Sequence, residues 1–302
     1  MDFLHRRPKY GKQNHKEERV NHRQEMKDEP PGATLHEAAT HWNVKRQGLS
    51  HAQRKQFFTR SLCFFRLAVD AIIHFFIYTM QTLAIELVKS DIVSFIQSNG
   101  NLLFNERDLQ TQLAVWLGQS HNAYDDVALE YYVPKTCLGD EYIWEQEDLR
   151  LDIVVEKDGE FVPVELKYKT KNARVSLSRF GVKLEGQHEV MKNQGAQDHG
   201  MYDFWKDIRR IELVRKHFTN VKGGLAVFMT NDEAYTKEPR ATSNNHAFSM
   251  SAGTHPARKA WKAPESKSAQ NRPDFTLERD YTIEWNTKTI NGITFYYCVV
   301  SI

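Results

Sequence analysis

The chain reads as an α/β protein with a mixed central sheet flanked by helices. Three observations predict it. Two strand-like runs, Leu149–Glu156 and Phe161–Tyr168, are joined by the tight turn Lys157-Asp158-Gly159 and so pair antiparallel. A long amphipathic helix over Met201–Phe218 then leads through Gly223-Gly224 into an apolar run, Leu225–Thr230. A strand–helix–strand step of this kind predicts a right-handed parallel crossover, so the sheet must mix both pairings.

Residues 81–98 read as a helix. Asn105 is placed to cap a second one, from Glu106 to about Gly118, because its side chain can accept from a first-turn amide. A first strand follows at Val127–Val133. In the long helix, Phe204, Trp205, Ile208 and Ile211 form the apolar stripe. Residues 232–275 are polar, rich in Ser, Asn, Lys and Pro, and read as a long flexible insertion. Closing strands are expected at Tyr281–Trp285 and Ile293–Val300, with a turn around Asn291-Gly292. No internal repeat is visible.

A hydrophobic share of 40% and a charged share of 26% are those of a chain with a sizeable core. The net charge of +2 says nothing about a polyanionic partner, and the sequence does not show the broad basic field of a dedicated nucleic-acid binder. Its distribution is uneven: residues 1–60 hold 13 Lys and Arg against 7 Asp and Glu, and the remainder holds 28 against 32. The organisation expected is a basic, flexible extension over 1–60, broken by Pro30-Pro31-Gly32, a helical segment over 61–100, and a sheet-bearing domain over 101–302. His36-Glu37 with His41 misses the spacing of a zinc-protease helix, since the histidines stand five apart rather than four.

Residues 61–79 are the most apolar stretch, yet Arg66, Asp70 and His74 recur along one helical face. Each central charge would cost about 2.5–3.5 kcal/mol in a bilayer, so a packed helix is expected there and no membrane span. Met80 is an alternative natural start, with the preceding residues an upstream extension. Cys63, Cys137 and Cys298 match no zinc or disulfide spacing, and no secretory signal opens the sequence. A reducing, cytoplasmic setting is expected.

The chemistry lies in the hairpin. Glu165 and Lys167 project from one side of their strand, and Val164, Leu166 and Tyr168 from the other. A turn near residue 158 brings Asp152, a single acid in an apolar strand, level with Glu165. Two carboxylates and an ammonium thus converge, an arrangement that is unfavourable unless a cation joins the acids. Oxygen ligands on a rigid strand pair suit a hard ion, Mg2+ first and Mn2+ second. Lys167 would orient or deprotonate the attacking water and offset transition-state charge. Glu106 shares a helical stripe with Leu109, Leu113 and Trp116 and adds a further inward acid; Glu130 on the first strand is the alternative third acid.

Asp152, a twelve-residue spacer and Glu165-Leu166-Lys167, preceded by a helix bearing Glu106, resemble the PD-(D/E)XK nuclease superfamily over roughly residues 101–230. The resemblance implies an αβββαβ restriction-endonuclease-like core, with 101–302 as a nuclease-like domain. It implies metal binding by Asp152 and Glu165 with the Leu166 carbonyl, a water-activating Lys167 and an accessory Glu106. Leu151 stands where the name of the motif has proline, a position many members vary.

The function this implies is Mg-dependent phosphodiester hydrolysis, with DNA as the expected substrate of an endonuclease of restriction or defence type. Many members act as dimers, so the resemblance also allows a homodimer. Lys169, Lys171, Arg174, Arg179, Lys183 and Lys192 follow the active strand and are candidates for phosphate contacts. Asp203, Asp207 and Arg210 share a helical face and read as a surface ion-pair network, while Gln197 and His199 near the helix start could touch substrate. The competing expectation is a nuclease-like fold that only binds or assembles.

Overall fold

The protein is described by a computed structural model over residues 84–144 and 148–302. The 1–60 extension, the 61–79 stretch, the His36/His41 pair, Cys63, Met80 and the first residues of the 81–98 helix lie outside the described residues.

Helix α1 covers residues 84–98 and turns Val88, Ile92, Phe95 and Ile96 inward, the spacing of one helical face. Helix α2, Glu106–Gly118, starts where Asn105 predicts: the Asn105 Oδ1 accepts the Asp108 N–H at 2.9 Å. Its buried stripe is Leu109, Gln110, Leu113, Ala114 and Leu117. Trp116, expected on that stripe, sits at its margin and is 39% exposed, tilted against Phe95.

Strands β1 (Asp126–Val133), β2 (Leu149–Lys157) and β3 (Glu160–Lys169) form an antiparallel meander. Asp158 and Gly159 both take positive φ, 53° and 77°, the left-handed pair that a two-residue hairpin needs. Helix α3 (Gln197–His217) follows, and then β4 (Leu225–Thr230), which runs parallel to β3. Strands β5 (Asn286–Ile290) and β6 (Ile293–Ser301) close a mixed six-stranded sheet of order β1-β2-β3-β4-β6-β5. The expected α/β class and mixed sheet are present.

Among the described residues, three apolar clusters cover the sheet, the third joining Leu149, Leu151 and Val154 to Leu213 and Val214 of α3. Val88, Leu109, Ile153, Val164, Leu166 and Phe295 pack on the side of α1 and α2. Phe204, Trp205, Ile208, Ala226 and Phe228 pack on the side of α3. Strand β4, covered on both faces, is buried at all six positions, which is why it reads as a continuous apolar run.

Two sequence expectations give way here. Residues 232–275, expected as a flexible insertion, bury Phe248, Met250, Trp261 and Phe275 against α3. These anchors follow no helical or strand period, so the polar average of the segment hides them. The hairpin partner of Ile293–Ser301 is Asn286–Ile290 rather than Tyr281–Trp285; Tyr281–Ile283 pairs instead with Gly253–His255.

Candidate active site

The β2–β3 ladder runs from Lys157 opposite Glu160 to Ile153 opposite Val164 and stops there. Strand β3 continues beside β4 as far as Lys169 opposite Thr230. The β3 amides that face β2 beyond Val164 therefore have no ladder partner, and carboxylates take them. Leu166 N–H donates to Asp152 Oδ2 at 2.6 Å, and Tyr168 N–H donates to Glu106 Oε2 at 2.8 Å. Charge-assisted bonds of this kind are among the stronger ones and hold each acid in place.

The neighbouring strands are shaped around the same gap. On β2 the alternation of faces breaks at Asp152, since Leu149, Leu151 and Val154 join one cluster and Ile153 and Val155 another. On β1, Glu130 takes φ 50°, a left-handed backbone. Gln110 of α2 ties the two strands by donating to the Asp152 carbonyl at 2.7 Å and to Glu130 Oε1 at 3.0 Å. Glu106, Gln110, Glu130, Asp152, Lys169 and Gln194 line an open cleft of 730 Å³ at this point.

Glu165 and Lys167 face α3. Lys167 Nζ lies 2.6 Å from Asp207 Oδ2, and Arg210 bridges Asp207 at 3.0 Å and Glu165 at 3.5 Å. Asp207, expected in a surface network, is in fact 1% exposed and belongs to the site. A signal for it was present: Asp207 falls within the stripe of Phe204, Ile208 and Ile211 at helical spacing. Asp203, expected beside it, instead points outward to Lys206.

Burial dominates the electrostatics. It raises the carboxyls of Glu106 and Asp152 above their ordinary range against the pull of Lys167, and lifts Glu165 well above it against the pull of Arg210. Burial also opposes the Lys167 charge, yet Asp207, Glu165, Glu106 and Asp152 together hold the ammonium above the usual lysine range. Asp207 moves the other way: Lys167 and Arg210 outweigh its burial and keep it ionised. The site thus sets a close ion pair, Lys167 and Asp207, beside three acids whose carboxyls burial raises.

That set fits a hard cation in its donor chemistry. Glu165 Oε1 is buried with no hydrogen-bond partner among the described residues, only the Arg210 ion pair at 3.5 Å, and Asp152 stands beside it with oxygen donors only. Among the described residues no group of three or more His, Cys, Asp or Glu could hold a metal ion alone. Asp152, Glu165 and the Leu166 carbonyl would therefore need solvent to complete the shell, the usual condition of Mg2+. The Leu166 carbonyl now accepts from Lys167 Nζ at 3.1 Å.

The basic residues downstream scatter. Lys169 lines the cleft, Lys171 pairs with Asp232 at 3.9 Å and Arg174 donates to the Gln187 carbonyl at 3.0 Å. Arg179 and Lys183 sit on an exposed hairpin, and the Lys192 carbonyl accepts from Thr170. Gln197 donates to Asp232 and His199 lies against Asp198, away from the cleft lining. No helix among the described residues is long and apolar enough to cross a membrane. Comparison with protein-family models, with curated proteins and with solved structures found no match.

Proposed function

We propose that the chain is a metal-dependent nuclease of the PD-(D/E)XK type, with an αβββαβ restriction-endonuclease-like core and DNA as its substrate. The observation that carries the reading is the break in the β2–β3 ladder. There Asp152 and Glu106 take the amides of Leu166 and Tyr168, and Glu165 and Lys167 lie alongside. A structural ion-pair network would have no reason to open a sheet and line the gap with acids.

In this reading Asp152, Glu165 and the Leu166 carbonyl hold Mg2+, with Mn2+ as a substitute. The bound ion supplies neutralisation of phosphate charge and a more acidic water. Glu106, anchored on the Tyr168 amide, would hold a water at the site by a hydrogen bond. Lys167 carries its proton as the site stands, so it orients the water and offsets charge on the phosphate rather than removing a proton. Asp207 positions Lys167, and Arg210 neutralises Glu165 until a cation arrives.

The test is plasmid cleavage with magnesium by wild type, Asp152→Ala and Lys167→Ala. Cleavage by wild type alone supports the proposal. Equal activity in all three would sink it. The second reading, a non-catalytic nucleic-acid-binding or assembly protein, is favoured by the direct Arg210–Glu165 ion pair, which could neutralise the acid permanently. It predicts nucleic-acid binding with no cleavage and no magnesium uptake in titration calorimetry.

A further inference from the structure

Between β3 and α3 the chain makes a β-arm. Its root pairs Ala173–Val175 with His188–Met191, and Val175 and Met191 are buried in the core, so the root is fixed. Its outer end pairs Ser178–Arg179 with Val182–Lys183 around the turn Phe180-Gly181. Phe180 is 104% exposed and Val182 is 62% exposed. Phe180 also takes φ 51° and Gly181 φ 78°, a pair of left-handed residues in which a bulky aromatic is an outlier.

The surroundings of this tip say what it would meet. Residues 169–192 hold six Lys and Arg against two Glu, although residues 61–302 as a whole hold 28 against 32. Arg179 directly precedes the aromatic, and Lys183 stands across the hairpin opposite Ser178. The Arg179 guanidinium stacks 5.2 Å over Phe104, which stands just before α2 and its Glu106. A cleft of 950 Å³ beneath the arm is lined by Phe104, Ser176, Ser178 and Arg179, and it shares Asn105 and Arg107 with the cleft of the candidate site. Tip and site therefore open onto one continuous surface.

We infer that Phe180 is a wedge that stacks into a base step of duplex DNA, with Arg179 and Lys183 on the flanking phosphates, beside the cleft that holds Glu106 and Asp152. The inference rests on the nuclease reading for its ligand. An exposed aromatic costs free energy in water and recovers it on a base face, and cations on either side supply the phosphate attraction. A protein partner would call for a broader apolar patch than Phe180 and Val182 supply.

The experiment uses a DNA duplex with one 2-aminopurine, whose fluorescence rises on unstacking, mixed with the full chain without divalent ions so that binding is separated from cleavage. Wild type should bind with a fluorescence rise. Phe180→Ala should bind about tenfold more weakly or worse, as loss of a stacked base implies, and lose the rise. Phe180→Trp should restore both. Arg179→Ala and Lys183→Ala should weaken binding and flatten its salt dependence while keeping the rise. Full exposure of Phe180 makes its variants safe for folding, which circular dichroism checks.

Unchanged affinity and fluorescence in Phe180→Ala would overturn the wedge, as would the absence of duplex binding by wild type. Sedimentation showing a self-associated wild type that Phe180→Ala turns monomeric, with duplex binding intact, would assign the tip to a second copy instead. Failure of the nuclease reading looks different: no variant cuts plasmid with magnesium, yet the Phe180-dependent rise persists.

Discussion

Lys167 and Asp207, one on β3 and the other on α3, are joined by a buried ion pair of 2.6 Å in which the aspartate is 1% exposed. Neither charge has much access to water, so Lys167 depends on Asp207, and Asp207 on Lys167 and Arg210. Lys167→Met leaves an acid-rich interior short of one cation. It should lower stability in urea unfolding by about 3–5 kcal/mol, the range for a broken buried pair. Lys167→Met with Asp207→Asn should recover part of that loss, and additive losses in the cycle would show that the pair is not coupled.

The three raised carboxyls set a pH dependence. A carboxyl whose folded pKa lies above its unfolded value, about 4 for Asp and Glu, favours folding when protonated. Its contribution is complete below the unfolded value and is lost as pH rises through the folded one. Glu106, Asp152 and Glu165 all shift this way through burial. A cation that binds only the ionised acids should therefore raise Tm more at pH 8 than at pH 5. Magnesium shifts of equal size at both would refute a carboxylate site, and Asp152→Asn should abolish the difference.

Lys259 is buried at 0% exposure with its Nζ 3.4 Å over the Trp205 ring. Burial brings its amine down to about 7, although the indole face offsets part of that cost. With the folded value depressed, stability should be fullest above the unfolded lysine value of about 10.4 and fall as pH drops toward 7. Lys259→Met should be more stable than wild type below pH 7 by more than about 1 kcal/mol, with the gap closing toward pH 10. Chemical denaturation at pH 6.5 and 10 measures this directly.

Gly223 and Gly224 lie where β4 enters between the chain end and β3. A side chain on Gly223 would collide with the Ile302 carbonyl, and one on Gly224 would come within 2.6 Å of the Pro163 carbonyl. Both obstacles are backbone and cannot swing away. Alanine at either position should cost about 1–3 kcal/mol by overpacking, read as a lowered Tm. Gly100→Ala, which meets nothing within 4 Å, is the control and should be neutral or slightly stabilising.

Asn105→Ala should remove the α2 cap and cost about 1 kcal/mol. Because Glu106 is the next residue, the same variant should weaken cleavage if the nuclease reading holds, chiefly through fraying at Glu106 rather than global loss. A fall in activity under conditions where the protein stays fully folded distinguishes the two effects.

What could be read from the residues was what depends on local spacing. Asn105 and its helix, the Asp158-Gly159 hairpin, the stripe of Phe204, Trp205, Ile208 and Ile211, and the continuous run of β4 all follow from periodicity and turn chemistry acting over a few positions. The same spacing put Asp152 level with Glu165. The tertiary structure decided the rest, because those contacts join residues far apart in the chain. Residues 232–275 carry their anchors Phe248, Met250 and Trp261 without a period, so only the α3 surface that receives them reveals their role. Asp207 looked like a solvated charge until the β3–α3 packing brought Lys167 to it. The opening of the β2–β3 ladder, which presents the amides of Leu166 and Tyr168 to acids from two other elements, is a property of three packed segments and has no local signature.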